Sequence, residues 1–358
     1  WHLGNLTALT GVPKTASDPA AYVRSDGVDA VVNLAGAPIG QGSDPSESSS
    51  PSTGESAQPS ATAGGSAAPS ASPLTDAEVL AILAEIEAQV EVIRGLSPAD
   101  IGPPELINRA QLRVELEAIL EEEYPPDERE RDNRFLRALG LIASDQDFAD
   151  LQLQLLGDGV LGFYDDQEQR MVVVSDVGLD VGAKITYAHE YTHALQDAAF
   201  GIDSLDREVE GEDDRSLART TLVEGDATVA MLAWAFANLT QQELQEYATG
   251  VEVPDTAGIP SWMVDQVTFT YEVGLTWAGA LAGTPFAPDF AAIDEAYADP
   301  PDSTEQVMDV TLEAWFDREE PVPVEAPDLT AILGDRWETV ETTTIGQATI
   351  RIMLEYFG

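Results

Sequence analysis

Residues 181–200 read V-G-A-K-I-T-Y-A-H-E-Y-T-H-A-L-Q-D-A-A-F and contain the most informative pattern in the chain. Their apolar residues recur every three or four positions, which predicts a helix with one buried stripe. His189 and His193 frame Glu190 in the pattern H-E-x-x-H, and residues four apart share one face of a helix. We therefore expect both imidazoles beside the buried stripe, near the edge of the core, where they can bind one metal ion.

A catalytic zinc ion typically has three protein ligands and keeps one position open. The chain contains no cysteine, and its only other histidine is His2, so the third ligand of a Zn2+ site is expected to be a carboxylate. Glu224 is the candidate, because it lies in T-L-V-E-G-D-A on the next predicted helix, about 215–238. The small Gly and Ala residues beside it predict close packing of this helix against the first. The alternative is a helix with two hydrogen-bonded structural histidines and an exposed Glu190.

From residue 75 onward the pattern predicts a mainly helical α+β domain. Thr75-Asp76-Ala77-Glu78 has the composition of a helix start with a capping box. Residues 160–164 and 170–174 are mostly apolar and flank a polar turn, which predicts a β-hairpin. Further helices are expected over about 104–122, 128–142, 145–156, 241–249, 261–282 and 288–298.

The N-terminal part is expected to be separate from this domain. Residues 43–74 are rich in Ser, Pro and Ala and lack aromatic residues, which is typical of a disordered linker. Residues 1–42 contain one strand signal, V-D-A-V-V-N-L, followed by A-G-A-P, and this string resembles a segment of extended short-chain dehydrogenases and epimerases. They lack the G-x-G-x-x-G turn that holds a dinucleotide, so NAD binding is disfavoured and the segment is of uncertain origin.

The charge of the chain excludes several classes of partner. Its 65 acidic and 17 basic side chains give a formal net charge of −48. The resulting field repels phosphates and anionic lipid headgroups, so nucleic-acid binding is not expected. A solvated, salt-adapted surface explains this acidity better than calcium binding, since no loop has the EF-hand spacing. The longest apolar tract, Ala227–Ala237, is shorter than the roughly 20 residues that span a bilayer, so it predicts a buried helix and no transmembrane segment.

Together these residues resemble the gluzincin branch of zinc metallopeptidases, in which H-E-x-x-H lies on one helix and a glutamate ligand on a following one. The chain is more narrowly similar to a family of bacterial extracytoplasmic metallopeptidases, over about residues 75–357. The similarity is carried by G-F-Y-D over 162–165, His189 through Asp197 with Phe200, L-V-E-G-D-A over 222–227, and Pro301 through Val307. The chain departs from that family where Met308-Asp309-Val310 replaces an expected His-Pro pair.

The resemblance implies a zincin-like catalytic core in a domain that spans 75–358. It implies that His189, His193 and Glu224 bind zinc. It also implies that Glu190 is the general base, which takes a proton from the water that attacks a peptide carbonyl. Zinc chemistry and a positioned carboxylate are together sufficient for such a hydrolysis.

The same resemblance implies a peptide or protein substrate and a location outside the cytoplasm, with the linker as a tether. Zincins commonly present an edge strand that pairs with an extended substrate, and either 159–164 or 170–174 is a candidate for that role. The alternative is a hairpin that only covers the core. The ending at Gly358, within an apolar helical pattern, suggests a C-terminally truncated domain.

Three further residues are candidates for supporting roles. Asp197 follows His193 by four positions, and Asp226 follows Glu224 by two, so either carboxylate is a candidate to orient a ligand. For both, a helix-surface carboxylate is the alternative. Tyr271 is the candidate hydrogen-bond donor to a transition-state oxyanion. For Tyr271 the alternative, a core aromatic with a hydrogen-bonded hydroxyl, is favoured.

The competing interpretation of the whole domain is a zincin fold without activity, which serves as a binding or scaffold module at the cell surface. The intact set of His189, Glu190, His193 and Glu224 argues against it, because a decayed site is expected to lose its general base first. The sequence leaves the substrate, the cleavage preference and the oligomeric state open.

Overall fold

The computed structural model describes residues 74–156, 160–176, 178–207, 212–250, 256–309, 311–324 and 327–358, the last range with short gaps at 328, 335–336, 338 and 340–341. The N-terminal segment 1–42 and all of the linker 43–74 except Leu74 lie outside the described residues. The expectations for both segments therefore stay predictions.

The described residues form a mainly helical α+β fold with one three-stranded sheet. In chain order the elements are α1 (Asp76–Arg94), β1 (Glu105–Ile107), α2 (Arg109–Glu123), α3 (Pro126–Leu139), α4 (Phe148–Leu156), β2 (Gly162–Asp165), β3 (Arg170–Val174), α5 (Val181–Phe200), α6 (Ile202–Arg207), α7 (Asp213–Asn238), α8 (Gln241–Gly250), α9 (Ser261–Ala282), α10 (Ala291–Ala298), α11 (Thr304–Met308), α12 (Leu312–Phe316), α13 (Thr330–Leu333) and α14 (Gln347–Phe357). No helix in the described part of the chain is long and apolar enough to cross a membrane.

Helix α1 begins where the sequence predicts. The Thr75 side chain accepts a hydrogen bond from the Glu78 amide, and the Glu78 carboxylate accepts one from the Thr75 amide at 2.8 Å, which completes the capping box. Gly95 ends the helix in the left-handed conformation at φ 76°, which glycine adopts without steric cost. The buried apolar face of α1 consists of Val79, Leu83, Ile86 and Val90.

The helix expected from about residue 104 begins later, at Arg109. Residues 105–107 form strand β1, whose partner in the sheet is β3. Asn108 then starts α2, because its side chain accepts the Gln111 amide at 3.0 Å while the Gln111 side chain accepts the Asn108 amide at 3.0 Å. A side-chain cap at this position fixes the start of the helix and leaves the preceding residues free to pair.

The predicted hairpin is confirmed as β2 and β3, which pair antiparallel with Tyr164 opposite Met171. Strand β1 pairs parallel with β3, so the order is β1-β3-β2 and β3 lies in the centre. The prediction that 170–174 is a possible edge strand for substrate is therefore wrong, since both of its edges are already paired. Strand β2 remains an edge strand of the described sheet, and it lies against α5.

Helix α5 lies inside the fold. It packs on α1, β2 and α7, and Ala183 and every residue from Ile185 to Gln196 are buried. The expectation that the histidines lie near the edge of the core is wrong, because neighbouring elements cover α5 on several sides. Ala199, near the end of the helix, is exposed.

Helix α7 packs extensively on both α5 and α9. The apolar tract predicted to be a buried helix lies within α7, where its residues are buried as far as Ala235. The small residue Gly225 was expected to serve the contact with α5, but it faces α9, where its nearest neighbour is Gly274. The contact with α5 is made instead by residues that include the candidate metal ligand.

Candidate metal centre

Two helices supply the candidate ligands. Asp180 caps the start of helix α5, because its side chain accepts a hydrogen bond from the Ala183 amide at 2.9 Å. Gly201 caps the end of the helix in the left-handed conformation. One helical turn separates His189 from His193 within it, so both rings point to the same side. Helix α7 passes that side and presents Glu224.

The three donor atoms converge. His189 Nε2 lies 3.0 Å from His193 Nε2 and 3.1 Å from Glu224 Oε2, and His193 Nε2 lies 3.7 Å from Glu224 Oε2. A tetrahedral zinc ion with bonds of about 2.0–2.2 Å separates its donors by about 3.3–3.6 Å. The observed spacings lie around that value, so the three residues fit a tetrahedral metal site with one position for a further ligand.

Burial sets the protonation of the donors. The exposed fractions are 0% for His189, 0% for His193 and 3% for Glu224. Burial lowers the pKa of His189 to about 3, and burial together with the neighbouring imidazole lowers that of His193 to about 4. Both rings are therefore neutral near pH 7 and offer a lone pair. Burial also raises the pKa of Glu224 to about 7, so a cation beside this carboxylate would favour its ionised form.

Gln196 fixes the tautomer of His193. Its side-chain Nε2 donates to the Val223 carbonyl at 3.0 Å and to Asp226 Oδ2 at 2.8 Å, so the amide oxygen must face the other way. That oxygen lies 2.8 Å from His193 Nδ1 and accepts its hydrogen. Because Nδ1 carries the proton, Nε2 has the lone pair and points to the other two donors. Nδ1 of His189 has no hydrogen-bond partner among the described residues.

Glu190 is held by the sheet. Its Oε2 accepts the Tyr164 amide of β2 at 3.1 Å, and the residue is 1% exposed. A backbone amide is a fixed donor, so it sets the orientation of this carboxylate without depending on a side-chain rotamer. The outward-facing Tyr164 amide of edge strand β2 thus donates to the residue predicted to be the general base.

Tyr271 comes from α9 and reaches the same group. Its hydroxyl donates a hydrogen bond to Glu224, and its ring centroid lies 6.0 Å from that of His189. Burial and the carboxylates of Glu224 and Glu190 raise its pKa well above the ordinary value, so the hydroxyl stays protonated and remains a donor. Its predicted role toward an oxyanion stays a prediction, because the contact it makes here is to a candidate ligand.

The two predicted supporting carboxylates occupy different places. Asp197 accepts the Tyr164 hydroxyl at 2.9 Å, which ties β2 to α5, and no hydrogen bond within the described residues joins it to either imidazole. Asp226 is fully buried and reaches His193 only through Gln196. Sequence reasoning missed Gln196, although its position three residues after His193 puts it on the same side of the helix.

No known protein family, curated protein or solved structure matches this chain significantly.

Proposed function

We propose that the protein is a zinc-dependent peptidase with His189, His193 and Glu224 as metal ligands and Glu190 as general base. The observation that carries the proposal is the convergence of three buried donor atoms at 3.0–3.7 Å from one another, two of which lie on the same helix as Glu190 and the third on α7. Two neutral imidazoles and one carboxylate are a donor set that zinc commonly takes in hydrolases.

A zinc ion supplies Lewis acidity, which activates water and polarises a carbonyl group. The contribution of the chain is to hold the proton acceptor in place. The Tyr164 amide binds Oε2 of Glu190, which directs the carboxylate that would accept a proton from the attacking water. The protonated Tyr271 hydroxyl is a nearby donor and orients Glu224.

The substrate class we propose is a peptide or protein segment that is neutral or basic, since a chain with a formal net charge of −48 repels acidic ligands. Pairing of an extended segment with edge strand β2 would have to use groups other than the Tyr164 amide, which already donates to Glu190. We also propose a location outside the cytoplasm, with 43–74 as a flexible tether.

A second candidate function is a zincin-like scaffold in which a metal ion only stabilises the fold. The deep burial of all three donors favours it, because a catalytic zinc ion keeps one position for water or substrate, which must be able to reach it. Against it, structural sites usually have four protein ligands, and the described residues supply three at this point.

The decisive experiment measures metal content and cleavage side by side. Metal analysis of purified wild-type protein is expected to give one zinc per chain, and a broad peptide-library digest is expected to give cleavage that a chelator abolishes. Glu190→Gln should keep the metal and lose cleavage. Glu168→Gln, in the exposed hairpin turn, is the control and should change neither. Fully metallated wild type that cleaves nothing would favour the scaffold.

A further inference from the structure

We infer that Gln196, anchored by Asp226 and Arg94, is a positioning residue that sets the metal affinity of His193. The inference rests on the proposed metal centre, but it does not depend on peptide hydrolysis. It concerns a connected set of buried polar contacts that begins at the end of α1 and reaches the imidazole on α5.

Asp226 is surrounded by hydrogen-bond donors. This carboxylate is fully buried, and it accepts hydrogen bonds from Gln196 Nε2 at 2.8 Å, from the Tyr297 hydroxyl at 3.0 Å and from Arg94 Nη2 at 3.1 Å. Arg94 Nε lies 2.8 Å from its other oxygen. A buried carboxylate is tolerated only when it is paired and hydrogen-bonded, and both conditions are met here.

Arg94 is held in a fixed position. It is the last residue of α1 and is 2% exposed. Its Nη2 also lies 2.6 Å from Asp294 of α10, and its guanidinium lies over the Phe290 ring at 4.5 Å from the centroid. A planar guanidinium held by two carboxylates and a ring has little freedom to rotate. Asp226 is therefore fixed by Arg94 as well as by Gln196.

Gln196 connects Asp226 to His193. The side-chain amide of Gln196 cannot flip, because its nitrogen faces two acceptors and its oxygen faces the His193 Nδ1 hydrogen. A hydrogen-bond acceptor on the far nitrogen holds the ring and makes the metal-binding nitrogen more basic. Loss of such a partner typically weakens metal binding by about 10–100-fold.

The test measures metal affinity and histidine tautomers. We expect Gln196→Met, which keeps the side-chain length and removes both hydrogen-bonding groups, to weaken Zn2+ binding about 10–100-fold in competition with a chromophoric chelator. The visible spectrum of the Co2+-loaded protein should change, since the ring is no longer held. With three histidines in the chain, NMR of isotope-labelled histidine identifies the tautomer of each, and the His193 Nδ1 hydrogen should lose its hydrogen-bonded shift.

Three further variants separate positioning from general damage. Thr192→Val removes a buried hydrogen bond to the Ala188 carbonyl on the same helix and should lower stability without changing Zn2+ affinity. Gln196→Glu keeps an acceptor for His193 but opposes the Asp226 charge, and adding Asp226→Asn should recover part of the lost affinity because the amide donor then lies on residue 226.

The outcomes are distinct. A Zn2+ affinity of Gln196→Met within twofold of wild type, with an unchanged Co2+ spectrum, overturns the inference. If Gln196→Met does not fold, equal affinities for Gln196→Glu and the double variant overturn it. Wild type that binds no Zn2+ overturns the proposed centre as well, whereas wild type that binds Zn2+ without cleaving peptides overturns only the proposed peptidase.

Discussion

Gly225 of α7 and Gly274 of α9 meet backbone to backbone. A Cβ on Gly225 would lie 2.4 Å from the Gly274 carbonyl oxygen, and a Cβ on Gly274 would lie 2.7 Å from the Thr221 carbonyl oxygen. Such distances leave no space for a side chain on either helix. The close approach places Tyr271, one turn before Gly274, next to Glu224, which adjoins Gly225.

Gly225→Ala is therefore expected to lower the free energy of unfolding by about 1–3 kcal/mol, because the added methyl group must push two backbones apart. It should also weaken Zn2+ binding, since the separation moves Glu224. Gly279→Ala, in the partner helix α9, is the control, because its Cβ would meet nothing within 4 Å. That control should be neutral or stabilising by about 0.5–1 kcal/mol. Urea unfolding of both variants provides the measurement, and equal losses at the two positions would contradict the prediction.

Tyr271→Phe removes the hydroxyl that donates to Glu224. We expect Zn2+ affinity to fall about tenfold, as for other partners of metal ligands, with kcat measured at saturating Zn2+ largely kept. Affinity is measured by chelator competition. If the hydroxyl instead donates to a transition-state oxyanion, kcat should fall about 10²–10³-fold at unchanged affinity, and that result would reject the orienting role.

Zn2+ should stabilise the chelator-stripped protein. At a free concentration 100-fold above Kd, a ligand that binds only the folded state adds about 2.7 kcal/mol. Thermal unfolding with and without Zn2+ measures this gain. His193→Ala should abolish it, and Ca2+ should not reproduce it, because calcium prefers six or more oxygen ligands. Equal stabilisation by Ca2+ would point to an acidic loop and not to the histidines.

Glu87 of α1 accepts a hydrogen bond from Tyr187 of α5. Burial raises the pKa of Glu87 above its ordinary value of 4.5, the Tyr187 hydrogen bond opposes this rise, and Glu91 adds to it. In the unfolded chain the pKa returns to about 4.5, so the folded state is favoured by protonation, and its stability falls as pH rises through the folded pKa.

Glu87→Gln removes this titration and keeps an acceptor for Tyr187. As pH rises from about 5 to 8, the free energy of unfolding of Glu87→Gln should rise relative to that of wild type. Urea unfolding across that range measures the difference. Tyr187→Phe should act in the opposite direction, because the ionised carboxylate loses its donor. A difference between Glu87→Gln and wild type that does not change with pH would show that Glu87 has the same pKa in both states.

Local signals in the sequence predicted much of the fold. The capping box at Thr75, the polar turn between β2 and β3 and the bounds of α9 follow from residues within one or two turns of chain. Strand β1 was missed because three residues have no period of their own, and only pairing with β3 makes them a strand. The depth of α5 was also missed, since an amphipathic stripe cannot reveal that other elements cover its polar side.

Part of the site was also predictable from local sequence and ligand chemistry. The histidines are joined by helix geometry, and Glu224 was found from ligand chemistry, which the convergence of the three donors supports. Arg94 was not found, because it lies 132 positions from Asp226 in the chain and only tertiary packing brings the two together. Gln196 was missed although it follows His193 by three positions. The Tyr164 amide carries no side-chain signal at all, so no motif search could assign it to Glu190.

The enclosure of His189, His193 and Glu224, at most 3% exposed, would also slow the exchange of a metal ion bound there. An ion enclosed by α5, α7 and α9 can leave only when these helices transiently separate. Its residence time would then be governed by the breathing of the fold. A strong extracting agent would remove the ion at a rate that stops rising with the agent's concentration, and the plateau would equal the rate at which the helices open.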